Sequence, residues 1–142
     1  SEVADFTSGK FEAVIDDSTI ADRSTVKRVL LHSGKLHYDL LAERDKRDIK
    51  DIALVRVEQY YPLPLRELVS VLSLYPDAEL VWVQEEPENQ GAWPFICLEL
   101  LRVNKRDVSV VSRTASASPA TGSSKRSAQE QADILDRALS LP

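Results

Sequence analysis

The chain has 142 residues, with 18 Lys and Arg against 23 Asp and Glu, a net charge of -5, and basic residues spread along its length. That excludes a nucleic-acid or anionic-membrane surface as its main business. A composition of 43% hydrophobic and 29% charged residues with 4 Gly fits one soluble globular domain, large enough to bury roughly two-thirds of its unfolded surface.

The first ten residues are polar and irregular, and Phe11 to Ile15 is a weak strand candidate. Positions 1–25 therefore read as an irregular lead-in with an edge strand, and 26–142 as an α/β domain. Val29-Leu30-Leu31 is a short apolar strand ending at Ser33-Gly34-Lys35, and the spacing of Leu36, Leu40 and the Leu41/Arg44 side predicts a helix. Glu43 to Asp51 holds eight charged residues out of nine and reads as a solvated helix end and loop. Ile52 to Val57 is the next strand, apolar except for Arg56. Pro62 and Pro64 stop extended pairing, and Pro64 suits the first turn of a helix running to about Leu74.

Pro76-Asp77 predicts a turn, Leu80 to Val83 a third strand, Ala92 to Leu101 a third helix and Val108 to Val111 a fourth strand. Arg113 to Arg126 breaks the rhythm, because its Ser, Ala and Thr cannot fill a core. Ser127-Ala128-Gln129-Glu130 then reads as a capping box. The last helix presents Gln131, Ile134, Leu135, Ala138 and Leu139 on one face, so it docks on the body. Nearly all-apolar strands alternating with helices predict a three-layer α/β/α fold with a mainly parallel sheet.

No apolar run approaches the ~20 residues of a membrane span, and no signal peptide opens the chain. The single Cys97 makes no intramolecular disulfide, and no Cys/His cluster has zinc spacing, so a reducing compartment is expected. The chain holds no Met, even at position 1, which predicts that it is cut from something longer.

The stretch Gln84-Glu85-Glu86-Pro87-Glu88-Asn89-Gln90-Gly91-Ala92-Trp93 lies at the carboxyl end of the third strand, where ligands and neighbouring domains meet a parallel sheet. Glu85-Glu86 and Asp16-Asp17 are the paired carboxylates. Neighbours on an extended segment point to opposite faces, so neither pair is automatically a facing acid/base couple, and hydrogen bonding at a domain junction is the expected role of Glu85 and Glu86. His32 and His37 read as partly exposed loop or helix histidines. No nucleophile elbow, P-loop or dinucleotide-binding glycine motif is present. Thr121-Gly122-Ser123-Ser124-Lys125-Arg126 is either an anion cradle at a helix start or a solvated loop. No catalytic residue and no metal ligand is expected.

Five segments together resemble a known family. They are Val29 to Leu40, the Ile52 to Pro64 run that contains Val57-Glu58-Gln59 and Pro62-Leu63-Pro64, Gln84 to Trp93, Ser116 to Lys125, and Glu130-Gln131. In order and spacing they are similar to the C-terminal domain of the thiamine-diphosphate-dependent first component of 2-oxoglutarate dehydrogenase, above all its actinobacterial decarboxylase form. The resemblance implies a transketolase C-terminal-like fold and a place in the tricarboxylic acid cycle. The parent reaction it implies is oxidative decarboxylation of 2-oxoglutarate with succinyl transfer to a lipoyl-carrying succinyltransferase component. Thiamine diphosphate and magnesium would bind elsewhere in the parent chain, since the Gly-Asp-Gly segment that holds them is missing here.

The same resemblance implies a structural and regulatory domain that supports the active-site domains and a homodimer partner. Glu85, Glu86, Asn89, Gln90 and Trp93 would stand at a domain interface. An acetyl-CoA effector site would use Lys10, Gln59 and Arg66, while Ala13 and Glu67 depart from the family's Ser and second Arg and predict weakened binding. His32 and His37 fall where relatives carry small, apolar or Tyr residues. The compartment implied is the bacterial cytoplasm, or the mitochondrial matrix in a eukaryote. The competing expectations are a self-contained flavodoxin-like domain for a small ligand, and a protein-interaction module.

Overall fold

In the computed structural model, residues 12–104, 106–113 and 124–141 are described. Five strands form one sheet in the order β1-β3-β2-β4-β5: β1 (Val14–Ile15), β2 (Arg28–His32), β3 (Ile52–Val57), β4 (Glu79–Pro87) and β5 (Val108–Arg113). All neighbours are parallel except β1, which runs antiparallel to β3 at the edge. Four helices cover it: α1 (Leu36–Lys46), α2 (Leu65–Leu72), α3 (Trp93–Asn104) and α4 (Ser124–Leu139), with a 3-10 turn at Arg23–Thr25. Among the described residues no helix is long and apolar enough to cross a membrane.

The all-apolar strands have a simple cause. Every residue of β2 and β3 is buried, because helices close both faces of the sheet. Alternate side chains sort into two cores. Val29, Leu31, Ala53, Val55, Leu80 and Trp82 face α2 and α3, where they meet Leu68, Leu72, Ile96 and Leu100. Leu30, Ile52, Leu54, Val81 and Val83 face α1 and α4, where they meet Leu36, Leu40, Ile134 and Ala138. This is the three-layer α/β/α arrangement that the periodicity predicts.

Several local expectations are corrected. Arg44, read as part of a solvated charge run, is only 4% exposed. It donates to Asp17 Oδ2 at 2.6 Å, to the Ile52 carbonyl at 3.0 Å and to Thr19 Oγ1 at 3.0 Å. Helical spacing places Arg44 on the same face as Leu36 and Leu40, and an aspartate distant in sequence neutralises it. The expected capping box is also absent. Helix α4 already includes Ser124, so Ser127 lies inside it. Ser127 Oγ accepts from Arg113 at 3.4 Å, and Glu130 pairs with Arg113 at 3.3 Å, so both residues fasten the helix to β5.

Two arginines, Arg28 buried and Arg106 half-buried, close chain ends that secondary structure leaves unsatisfied. Arg28 Nη1 donates to the carbonyls of Arg137, Ala138 and Ser140 at the carboxyl end of α4, while its Nε bonds Glu79. Arg106 reaches the Leu72, Tyr75 and Ala78 carbonyls after α2.

Asp17 supports a pH prediction. Burial pushes its carboxyl up, but hydrogen bonds from Thr19, the Leu54 amide and Arg44 outweigh that and hold it below the usual value. A depressed carboxyl stabilises the fold above the unfolded-state value near 3.8 and loses that contribution as pH falls through the folded value. Asp17→Asn leaves the Arg44 charge buried without its counter-ion, so a loss of roughly 3 to 5 kcal/mol is expected in urea unfolding at neutral pH. The difference from wild type is expected to shrink below about pH 4.

Candidate functional site

The strand order creates the site. From β2 the chain crosses over α1 to β3 on one side, whereas from β4 it crosses over α3 to β5 on the other. The carboxyl ends of β2 and β4 therefore diverge into the crevice that parallel sheets open at such a reversal. A cavity of about 370 Å³ occupies it, bordered by Ser33 and Gly34 after β2, Tyr60 and Tyr61 after β3, and Glu85 and Glu86 on β4. Gly34 and Gly91, each at φ +66°, make the two turns that a side chain would strain.

Strand β4 runs to Pro87, four residues past the expected end, with an irregular register between Val83 and Pro87. The cause is Gln84, a residue that sequence reasoning left inside a polar string. Its Oε1 accepts from Trp82 Nε1 at 2.9 Å and from the Trp93 amide at 3.0 Å. Its Nε2 donates to the carbonyls of Pro87 and Gln90, both at 2.8 Å. One buried carboxamide thus satisfies four groups of a loop that has no ladder to do so. The only advance signal was a Gln immediately after a continuous apolar strand.

Of the five residues expected at an interface, Glu85, Gln90 and Trp93 are half-buried, while Glu86 and Asn89 are exposed. Trp82, at 1% exposure, is fully buried, whereas Trp93 gives its backbone amide to Gln84 and packs its ring half-buried against the first core. Beside this loop Tyr61 is 74% exposed and its ring lies 4.9 Å from that of Phe95, while Leu98 and Leu101 stand exposed on α3.

The effector expectation falls on a second concavity of about 920 Å³, bordered by Ala13, Gln59, Arg66 and Glu67. Four of the five relevant positions therefore share one groove, although they lie on three segments. Lys10 is outside the described residues, as is the first half, 121–123, of the Thr121 to Arg126 anion-cradle candidate. Gln59 already donates to the Pro62 carbonyl at 2.7 Å, which fixes its amide at the groove edge.

The histidines differ from expectation most. His32 is fully buried, and its ring stacks on that of His37 at 5.2 Å and 5°. Its Nδ1 lies 2.9 Å from the Leu30 carbonyl, and its Nε2 lies 2.9 Å from His37 Nδ1. Burial, then the nearby His37 and Arg56, lower the His32 pKa to about 3. Burial, then Arg56, lower that of His37 to about 4. Among the described residues no group of three His, Cys, Asp or Glu could hold a metal ion.

Two measurements test these geometries. A Cβ at Gly91 would lie 3.1 Å from both the Gln84 and Glu86 Oε1 atoms, whereas one at Gly34 would meet nothing within 4 Å. Gly34→Ala is expected to cost about 1 kcal/mol from backbone strain alone, and Gly91→Ala clearly more, by chemical denaturation. As for pH, both histidines have folded values below the unfolded 6.5, so the unfolded chain takes up protons that the fold refuses. Stability is expected to fall as pH drops from 6.5 towards 4, with the imidazole resonances of both residues not yet titrating at about pH 5.5.

Comparison with known proteins supplies the context. Residues 1–139 match the family described as 2-oxoglutarate dehydrogenase C-terminal. The chain is 46% identical to the multifunctional 2-oxoglutarate metabolism enzyme of Mycolicibacterium vanbaalenii and 45% identical to that of Mycobacterium sp. (strain JLS). In each case 98% of this chain aligns, but it spans only 12% of the relative. With nearly its whole length matched by the family, the chain belongs to the 2-oxoglutarate dehydrogenase C-terminal family.

Proposed function

We propose that this chain works as the C-terminal structural and regulatory domain of a larger, thiamine-diphosphate-dependent 2-oxoglutarate-decarboxylating enzyme of the tricarboxylic acid cycle. The observation that carries the reading is the family match over residues 1–139, taken with a chain that spans 12% of its multifunctional relatives. The sequence lacks the Gly-Asp-Gly segment that the resemblance assigns to cofactor binding. Thiamine diphosphate, magnesium and the decarboxylation itself are therefore assigned to other parts of the parent, and no chemical step is assigned to side chains of this chain.

Its contribution is positional. Glu85, Glu86, Asn89, Gln90 and Trp93 stand on a strand-end loop braced from within by Gln84, so they offer a preorganised polar edge to a neighbouring domain or a homodimer partner. Contact with a lipoyl-carrying succinyltransferase belongs to the assembled parent.

The groove beside Gln59 and Arg66 is the regulatory element of this reading, with acetyl-CoA as the effector and Lys10 as a third contact. Arg66 supplies charge to a phosphate, and Glu67 opposes it on the same helix turn.

Both roles are testable in the full-length enzyme. Glu86→Arg with Asn89→Ala, at exposed positions, is expected to lower 2-oxoglutarate turnover or dimer stability several-fold while this domain's own melting is unchanged. Unaltered turnover and assembly would remove the interface role. Glu67→Arg is expected to tighten acetyl-CoA binding by about ten-fold, the effect of replacing a repulsive charge by an attractive one near the surface. Arg66→Ala is expected to weaken it, and calorimetry on both variants decides the point.

A further inference from the structure

Below the β1 edge of the sheet lies a third pocket, of about 510 Å³, that the family reading does not use. His37 and Arg44 border it from α1, Leu54 and Arg56 from β3, and Asp16 and Asp17 from the segment after β1. Most of its charges are already answered. Asp17 is held by Arg44, and Asp16 by Arg23 at 2.6 Å and by the Tyr75 hydroxyl at 2.6 Å. The carboxylate of exposed Glu12 stands at the mouth.

Besides Glu12 and Ser18, two groups of the pocket wall keep hydrogen-bonding capacity. Arg56 is 8% exposed and pairs through Nε with Glu58 at 3.1 Å, while its guanidinium lies 5.8 Å over the Tyr38 ring. Among the described residues its two terminal nitrogens find no acceptor. The second group is His37 Nε2, and its protonation follows from the bonds behind it. A carbonyl only accepts, so His32 Nδ1 carries the proton that it gives to Leu30. Neutral His32 then has a lone pair on Nε2, which obliges His37 Nδ1 to donate to it. Neutral His37 is left with a bare lone pair on Nε2, and among the described residues no donor answers it. The low pKa values of both rings keep this arrangement intact at neutral pH.

A ligand that completes both groups must bring an anion for the Arg56 fork and a proton donor for His37 Nε2. It must also be apolar on its remaining side, where Val14, Ile15, Leu41 and Val71 border the pocket. We propose that this pocket binds a small 2-hydroxycarboxylate with an aliphatic tail, its carboxylate on the terminal nitrogens of Arg56 and its hydroxyl donating to His37 Nε2. Inorganic phosphate, which keeps a proton at neutral pH, can meet both polar groups but brings nothing to the apolar side. The inference stands apart from the domain role proposed above, and neither depends on the other.

The test compares ligands that differ by one hydroxyl. In calorimetric titration of the protein at pH 7.5, 2-hydroxy-4-methylpentanoate is expected to bind up to about ten-fold more tightly than 4-methylpentanoate, the net effect of one hydrogen bond exchanged with water. Inorganic phosphate, which has no apolar part, is expected to bind more weakly than the hydroxy acid. Arg56→Lys, which keeps the charge and loses the fork, is expected to weaken the hydroxy acid several-fold. Nitrogen-15 spectra of the imidazoles, which need no substitution, are expected to show His37 protonated at Nδ1 and bare at Nε2, with Nε2 shifting when the hydroxy acid binds. Equal affinity for the two acids, binding of neither, a preference for phosphate, or a proton on His37 Nε2 would each overturn the proposal.

Discussion

Strand β2 is the constraint on which the rest depends. It lies between β3 and β4, with both edges hydrogen-bonded and every residue buried. Such a strand tolerates no unsatisfied group, so whatever polarity it carries must be answered by other elements. It carries polarity only at its ends. Arg28 at the start gathers the last carbonyls of α4, and His32 at the finish bonds its own strand and then His37 of α1. The two helices on one face are thereby tied to opposite ends of one strand.

The same strand decides where functional surface can form. Crossovers leave β2 and β4 in opposite directions, so their carboxyl ends part and loops from three strands converge on the opening. A stretch with three acids, two further carboxamides and a proline would ordinarily wander there. Gln84 prevents it by bonding both tryptophans and two loop carbonyls from a buried position, so the exposed acids are displayed from a fixed frame.

Two of the buried arginines share one pattern in this fold. Asp17 with Arg44 and Arg28 with Glu79 join segments far apart in the chain, and in each case a guanidinium also satisfies backbone carbonyls. Replacing such groups with apolar ones need not lower stability, but removing one partner alone does, so these pairs fix how the edge segment and the last helix are placed. The pocket at the β1 edge is a by-product of that arrangement: the ion pairs consume most of the polar capacity and leave one fork and one lone pair.

The sequence by itself determined the elements, the layers and the family. Apolar strands at regular spacing between amphipathic helices allow little besides a covered parallel sheet, and hydrophobic period is a local property that a linear reading sees directly. The grouping of Gln59 and Arg66 with Ala13 and Glu67 was likewise legible, through resemblance, before the groove that unites them was visible. Tertiary structure alone decided which polar residues went inside. Arg44 sits in a run of charges, His32 beside a glycine turn, and Gln84 at the head of a polar loop, and each looks solvated until its partner is known. Those partners, Asp17, His37 and the loop carbonyls, are brought together by the fold. Ser127 failed in the opposite direction: it had a sound local role, as a cap, that contact with Arg113 displaced. Hydrophobic burial is additive along the chain and can be read from it, whereas a buried polar group is defined by a pair, and the second member is named only by the folded chain.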